Sequence, residues 1–389
     1  GGTPSRCLDP DYDRTLCPCF GLQRPRIHSR APCCMAPPCA GPAFDGVVRG
    51  RGVSRKTGSR LLGLLSVASS LGAAKAQAAE SPEVLAAGCS AADGVCQASS
   101  AGAVPVARLR NGLAYPMIGL GCASGVREEH VLSAIEQGYR LLDSAAAYEW
   151  GYREDEVGRA LVRSGKRKDV FVQTKIRTLP SVDVRAAVKA CMERLQTDYL
   201  DSVLIHKPEG DWLASWKVLE ELYREGVVRA IGATDLNEER LSKLLSIAQE
   251  PPMILQNWFE PFHQDGGGVR ELCKRHGIVY QSFSLFGTQW PMMLKLPSGS
   301  PNPVRSNPVL KNIAARHNRS VPQVLLRWAL QEGVASVPAS RSEKHRSENL
   351  RIFDFELGEE DLRLIRALDG VSPLEALSAG ADGSFPHVD

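Results

Sequence analysis

The chain has 389 residues, 43% of them hydrophobic and 23% charged, a balance that fits a globular protein and excludes fibrous or low-complexity classes. Its formal net charge is +3, but residues 1–79 hold eleven Lys/Arg against four Asp/Glu, so the rest of the chain carries −4. That acidic remainder gives no electrostatic reason to expect a nucleic-acid partner.

Residues 1–79 read as a disordered targeting leader. From Leu22 to Ala79 the one acidic residue is Asp45, amid Arg, Ser, Ala and Pro, the bias of an organelle transit peptide. Arg55, Lys56 and Arg60 then precede an apolar stretch from Leu61 to Ala74 and a small-residue "AQA" site, the parts of a cleavable signal. Those fourteen residues are too few for stable membrane insertion, since a spanning helix needs about 20. Together they predict a two-part address into a plastid (chloroplast) or its lumen, removed near Ala78 or Ala79. A secretory signal starting at Met35 is the alternative. Eight of the eleven cysteines fall at or before Cys96. Cys89 and Cys96 bracket a short Gly-containing loop and are read as two unrelated thiols, a disulfide in an oxidising compartment being the alternative. Cys122, Cys191 and Cys273 are too scattered for a disulfide framework or a metal site.

After a linker over 80–105, residues 106–371 alternate short apolar runs with amphipathic stretches, and 372–389 form a short tail. "VARLRNGLAYP" opens this region with Asn111-Gly112, a strong hairpin signal. The expected strands then follow in order: "MIGLG", "RLLDSA", "DVFVQTKI", "DYLDSVLIH", "VRAIGATD", "MILQNWFE", "IVYQSFS" and "VASVPAS". Helical patterns such as "SVDVRAAVKACMERL" and "WLASWKVLEELYREG" lie between them, with apolar residues at i, i+3 and i+4. Eight strand–helix units predict an α/β fold, a (β/α)8 TIM barrel with an N-terminal hairpin. An open doubly wound sheet is disfavoured because no junction carries the G-x-G-x-x-G turn.

Catalytic residues of such barrels sit at the C-terminal strand ends. Strand two ends at Asp143, strand three at Lys175 and strand four at His206, with Tyr148 in the loop above. Taken singly, each is as readily a structural residue as a catalyst. At matching strand ends they form a constellation. A phenol titrates near pH 10 and is a poor acid unless its phenolate is stabilised. A lysine ammonium supplies that stabilisation, the aspartate holds the lysine, and the imidazole orients a carbonyl. With no nucleophile and no metal ligand set, the matching chemistry is hydride delivery to a carbonyl from a nicotinamide.

On these residues the region from about 106 to 370 resembles an aldo-keto reductase. "GYRLLDSAAAY" is similar to the family's strand-two motif, "VQTKI" to its lysine segment and "LIHKP" to its histidine segment. The resemblance implies a catalytic set of Tyr148 (general acid), Lys175, Asp143 and His206. It also implies an extended NADPH/NADP+ across the barrel mouth. Its contacts would be Thr234 and Asp235 in "GATD", Gln256 in "ILQNW", Phe283 and Ser284 in "YQSFS", and Ser340, Arg341, His345, Glu348 and Asn349 in "SRSEKHRSENL". The implied activity is NADP-dependent reduction of an aldehyde or ketone, as in an alcohol dehydrogenase (NADP+) or aldehyde reductase, on a small-molecule carbonyl substrate. A nicotinamide-binding sensor barrel with little turnover is the alternative.

Several positions depart from the family pattern. Asp235 stands where the family usually has Asn, replacing a donor by an acceptor. Ala339 stands where a lysine often contacts the 2′-phosphate, which leaves NADH use open. Lys207 replaces a common tryptophan after the histidine. "EWGYR" lengthens the connection after Tyr148 and offers Tyr152 as a rival phenol. Cys122 is expected to be a small buried residue at the mouth, and Trp258, Phe262, His263 and Trp290 to lie on loops of the catalytic face. The sequence does not fix the oligomeric state.

Overall fold

A computed structural model of the chain describes residues 95–96, 104–178, 182–265 and 268–375. The expected leader and most of the linker and tail lie outside them, as does Cys89.

Two sheets organise the described residues. The first joins β1 (Val95–Cys96), β2 (Val106–Arg108) and β3 (Ala114–Pro116). β2 and β3 are antiparallel with Val106 opposite Pro116, and the chain turns between them at Asn111-Gly112. Gly112 takes φ 85°, a left-handed conformation that glycine adopts without steric cost. The second sheet has eight strands: β4 (Leu120–Gly121), β5 (Leu141–Asp143), β6 (Phe171–Ile176), β7 (Ser202–Ile205), β8 (Ile231–Thr234), β9 (Ile254–Trp258), β10 (Val279–Phe283) and β11 (Ala335–Ser336). They pair in sequence order from β4 to β11, all parallel. The backbone closes the ring: the Gly119 amide donates to the Ser336 carbonyl at 2.9 Å and the Ser336 amide to the Met117 carbonyl at 2.8 Å. The expected (β/α)8 barrel is therefore the fold.

Helices connect successive strands. They are α1 (Glu128–Gln137), α2 (Glu154–Ser164), α3 (Val184–Leu195), α4 (Trp212–Arg224), α5 (Glu238–Ile247) and α6 (Val269–Arg275). After β10 come α7 (Trp290–Met293), α8 (Pro303–Ser306), α9 (Pro308–Arg316) and α10 (Val321–Gln331), and after β11 α11 (Glu343–Asn349) and α12 (Glu359–Arg366). Sequence signals explain their starts. The Asp183 carboxylate accepts from the Arg185 and Ala186 amides at the head of α3, and Ser320 with Gln323 forms a capping box on α10, each satisfying amides that have no intrahelical partner. No helix among the described residues is long and apolar enough to cross a membrane.

Two buried clusters follow from the period-2 alternation of the strands. Outward-facing residues such as Leu142, Val172, Val203, Ile205, Ile231 and Leu255 pack against the helices. Inward-facing Leu141, Phe171, Leu204, Ile254 and Ala335 join Leu109, Tyr115 and Met117 from the hairpin region in a second cluster, so the hairpin plugs the barrel floor. Asp143 follows Leu141 by two residues, and Lys175 follows Phe171 by four. Both therefore point inward, above that floor.

Candidate functional site

The inward-facing positions change character from floor to mouth. Above Phe171 comes Gln173, whose side-chain amide donates to Asp143 Oδ1 at 2.7 Å and to Gln281 Oε1 at 2.8 Å. Its carbonyl accepts from the Tyr115 hydroxyl at 3.1 Å and the Ser202 hydroxyl at 3.2 Å. Gln256 Nε2 donates to Asp143 Oδ1 at 3.2 Å and to Gln281 Oε1 at 2.6 Å. Asp143 is thus gripped on one oxygen by two amides, which leaves the other for Lys175. Lys175 Nζ reaches Asp143 Oδ2 at 2.7 Å and the Ser144 carbonyl at 3.0 Å. Both members of this pair are buried, and such a pair persists only when its remaining hydrogen-bond capacity is filled, as it is here.

The phenol that meets this lysine is Tyr152. Lys175 Nζ donates to the Tyr152 hydroxyl oxygen at 3.5 Å and lies 5.0 Å from its ring centre. Tyr148 is 43% exposed, starts a short 3-10 turn over Tyr148–Trp150, and has the Arg153 guanidinium 5.1 Å over its ring. The expectation placed Tyr148 against Lys175; the structure places Tyr152 there. The physical reason is the 3-10 turn, which closes at Gly151 with φ 80° and an amide bonded to the Tyr148 carbonyl at 2.9 Å. The turn carries the chain outward and returns it one turn later. A clamp then holds Tyr152 in place: Glu154, buried at the start of α2, accepts from the Thr174 hydroxyl on β6 and from Arg194 Nε of α3 at 2.8 Å.

His206 completes the cluster at the end of β7. Its ring lies 4.8 Å from Trp150 and 6.4 Å from Tyr152, edge-on to both. His206 is 8% exposed, and its Nδ1 is buried without a protein partner. The Ser144 hydroxyl is likewise buried and unpaired.

The electrostatics set the protonation states. Burial pushes the Tyr152 phenol up; Lys175 opposes that, Asp143 adds to it, and the net effect is upward, so the phenol holds its proton at neutral pH. Burial alone would push the Lys175 ammonium down, but Asp143 and the Tyr152 oxygen outweigh it and the net shift is upward. His206 is driven well below the ordinary imidazole range, first by burial and then by Lys175, Lys207 and Arg177, and is neutral.

The expected cofactor contacts divide into two groups. Phe283, the last residue of β10, and Ser284 after it are half-buried, and Arg341 is exposed beside Gly125, where a Cβ would stand 3.7 Å from the Arg341 Cδ. His345 is exposed on α11. These residues fit an extended anionic dinucleotide along the rim. Others are committed elsewhere. The Thr234 hydroxyl donates to Asp235 Oδ2 at 2.6 Å and accepts from the Lys207 amide at 3.1 Å. Gln256 has its amide donors turned down onto Asp143 and Gln281. The Ser340 hydroxyl closes a turn with Ser342, and Glu348 pairs with Lys344 at 3.8 Å. Asn349 is buried, one turn beyond the buried Arg346, whose carbonyl accepts from the Tyr139 hydroxyl at 3.0 Å.

Asp235 is exposed, yet the protein crowded around its carboxyl raises it above the usual range, against the Thr234 bond and the nearby Lys207, Lys175 and Arg240 charges. It takes φ 55°, as Lys207 takes 53° and Ser284 59°, so β7, β8 and β10 are each followed closely by a non-glycine left-handed residue. Side chains cost energy there, and such residues gather where a surrounding site holds them. Trp258 lies 5.0 Å from Trp290 and 5.4 Å from His263, whereas Phe262 is core. Cys122 is fully buried, with its thiol pushed up by burial, as expected.

Comparison with known proteins gives a consistent picture. The model of the Aldo/keto reductase family matches residues 126–370. A glyoxal reductase of Bacillus subtilis (strain 168) is 38% identical over 270 residues, covering 67% of this chain and 92% of its own length. A morphine 6-dehydrogenase of Pseudomonas putida is 32% identical over 281 residues, covering 69% and 93%. Among solved structures, a Bombyx mori aldo-keto reductase in complex with NADP aligns with a TM-score of 0.63 at 27% identity, covering 69% of this chain and 94% of that one.

Proposed function

The chain belongs to the aldo/keto reductase family, oxidoreductases that act on carbonyl groups, and on that premise we propose that it reduces an aldehyde or ketone to an alcohol with Tyr152 as the general acid. The observation that carries this reading is the Lys175 ammonium bridging the Asp143 carboxylate and the Tyr152 hydroxyl. A bound nicotinamide supplies the hydride. As the carbonyl oxygen gains charge, Tyr152 delivers its proton to that oxygen, and the adjacent ammonium stabilises the phenolate left behind. His206, neutral, orients the carbonyl without competing for the proton. Phe283 would flank the nicotinamide and Arg341 the 2′-phosphate, which favours NADPH over NADH.

Loss of NADPH absorbance with a panel of simple aldehydes tests the reaction. Tight NADPH binding with no turnover on any of them would favour the sensor alternative, to which the acceptor Asp235 lends support. Arg341→Ala tests the cofactor reading: KM for NADPH should rise about 10-fold or more while NADH use barely changes. We also read residues 1–79 as an address removed near Ala78 or Ala79, supported by their composition; N-terminal sequencing of the native protein checks it, and an intact leader on the working protein would count against it.

A further inference from the structure

Lys207 follows the catalytic histidine, and three observations set it apart from an ordinary surface lysine. Its backbone is left-handed, φ 53°, and is tied by its amide to the Thr234 hydroxyl at 3.1 Å. Its ammonium, on an exposed side chain, lies 4.2 Å over the ring of Trp150, the same indole that meets His206 at 4.8 Å. Both groups touch one ring, so the ammonium stands no more than about 9 Å from the imidazole by these two distances. Finally, no carboxylate among the described residues lies within ion-pairing distance of Lys207. The neighbouring cation is different: Arg177, 5.9 Å over the same indole, is bound by Glu149 at 3.1 Å and Glu209 at 3.5 Å.

The carboxylates near this wall are therefore accounted for. Glu149 and Glu209 are turned onto Arg177, and Asp235 accepts from the Thr234 hydroxyl at 2.6 Å. A cation held in one place by a strained backbone and an aromatic face has already given up much of the freedom that an ordering ligand would otherwise have to remove. It is also a donor with three protons and no acceptor.

We propose that the substrate is a carbonyl compound carrying a carboxylate a few bonds from the reacting carbon, and that Lys207, held on Trp150, binds that carboxylate while the carbonyl sits between Tyr152 and His206. This rests on the carbonyl-reductase reading and assigns that site its substrate class. A chain or ring that separates the two groups by several ångströms fits the spacing, with the apolar middle of the substrate against the indole.

The experiment compares 4-carboxybenzaldehyde with 4-methylbenzaldehyde, which differ mainly in charge at the same position, using the whole protein and NADPH. The expected result is a kcat/KM at least about 10-fold higher for the carboxylate, carried by KM, as one charge-assisted contact provides. The preference should shrink with added salt, because the contact is partly exposed. Lys207→Met should bring the ratio close to one, Lys207→Arg should keep it and Lys207→Glu should invert it. Equal use of the two aldehydes by the unmutated protein would overturn the proposal and leave carbonyl reduction standing. Absence of turnover with either would overturn both. If the Lys207 variants do not fold, the wild-type ratio and its salt dependence decide.

Discussion

The two ends of the barrel are built from the same eight strands and are chemically opposite. At the floor, hydrogen-bonding groups of the hairpin are closed off by the protein. Asn111 Nδ2 donates to the Arg229 carbonyl at 2.7 Å, Arg110 binds the Pro252 and Pro251 carbonyls, and Tyr115 packs edge-on to Phe171 at 5.0 Å while its hydroxyl reaches Gln173. At the mouth, Ser144 Oγ and His206 Nδ1 are buried without partners, and Lys207, Asp235 and Ser284 hold left-handed backbone. The floor spends its residues on packing, while the mouth gathers the ionisable cluster of Asp143, Lys175, Tyr152 and His206. The difference teaches where a substitution should be felt in folding and where in turnover.

The sharpest break in that contrast is at the phenol. Tyr152→Phe should lower kcat by about 10²-fold or more, the scale for losing a positioned general acid, with stability and cofactor binding little changed. Tyr148→Phe should stay within a few-fold of wild type. Steady-state kinetics of the two variants decides, and the reverse ranking would return the role to Tyr148.

At the floor the expectation turns over. Phe171→Ala removes a buried ring against Tyr115 and should cost roughly 3–5 kcal/mol of stability, read by denaturant unfolding. The folded fraction should keep its kcat/KM. A loss of turnover without a loss of stability would mean the two ends are not independent.

A smaller and pH-dependent effect sharpens the picture beside the mouth. Burial lifts the Glu260 carboxyl to about 7, against the donors at Phe262 and Trp290 and with Asp369 adding to the rise. The folded chain then keeps a proton that the unfolded chain gives up above about 4.5. Stability should fall as pH rises from there through 7, by about 3 kcal/mol in all. Glu260→Gln should flatten this slope, so that the variant gains on wild type at pH 8 relative to pH 5. Unfolding midpoints at the two pH values measure it.

Much of this was legible in the sequence because strands project side chains with a fixed period. Asp143, Lys175 and His206 end strands, and strand ends in a closed barrel converge whatever lies between them. The choice of phenol was not legible by counting from Asp143. A 3-10 turn changes how far the chain travels per residue, so "EWGYR" defeats a spacing argument that holds in a plain loop. The glutamine layer was missed although it left a signal: Gln173 and Gln281 are long polar residues inside otherwise apolar strands, at positions in phase with inward-facing neighbours. Asp235 was read as a carboxylate in place of an amide. Its bond from the Thr234 hydroxyl, which only three dimensions reveal, changes what that carboxylate can do.

The Glu154 clamp has a consequence for how this chain tolerates change. The carboxylate is anchored to β6 through Thr174 and to α3 through Arg194, only two residues downstream of Tyr152. The phenol is therefore located from behind, by the helix it precedes, and not by the length of loop that leads to it from β5. Substitutions in the exposed turn at Tyr148 and Glu149 should therefore reshape the rim and what it admits while the Tyr152 phenol stays where Lys175 can reach it.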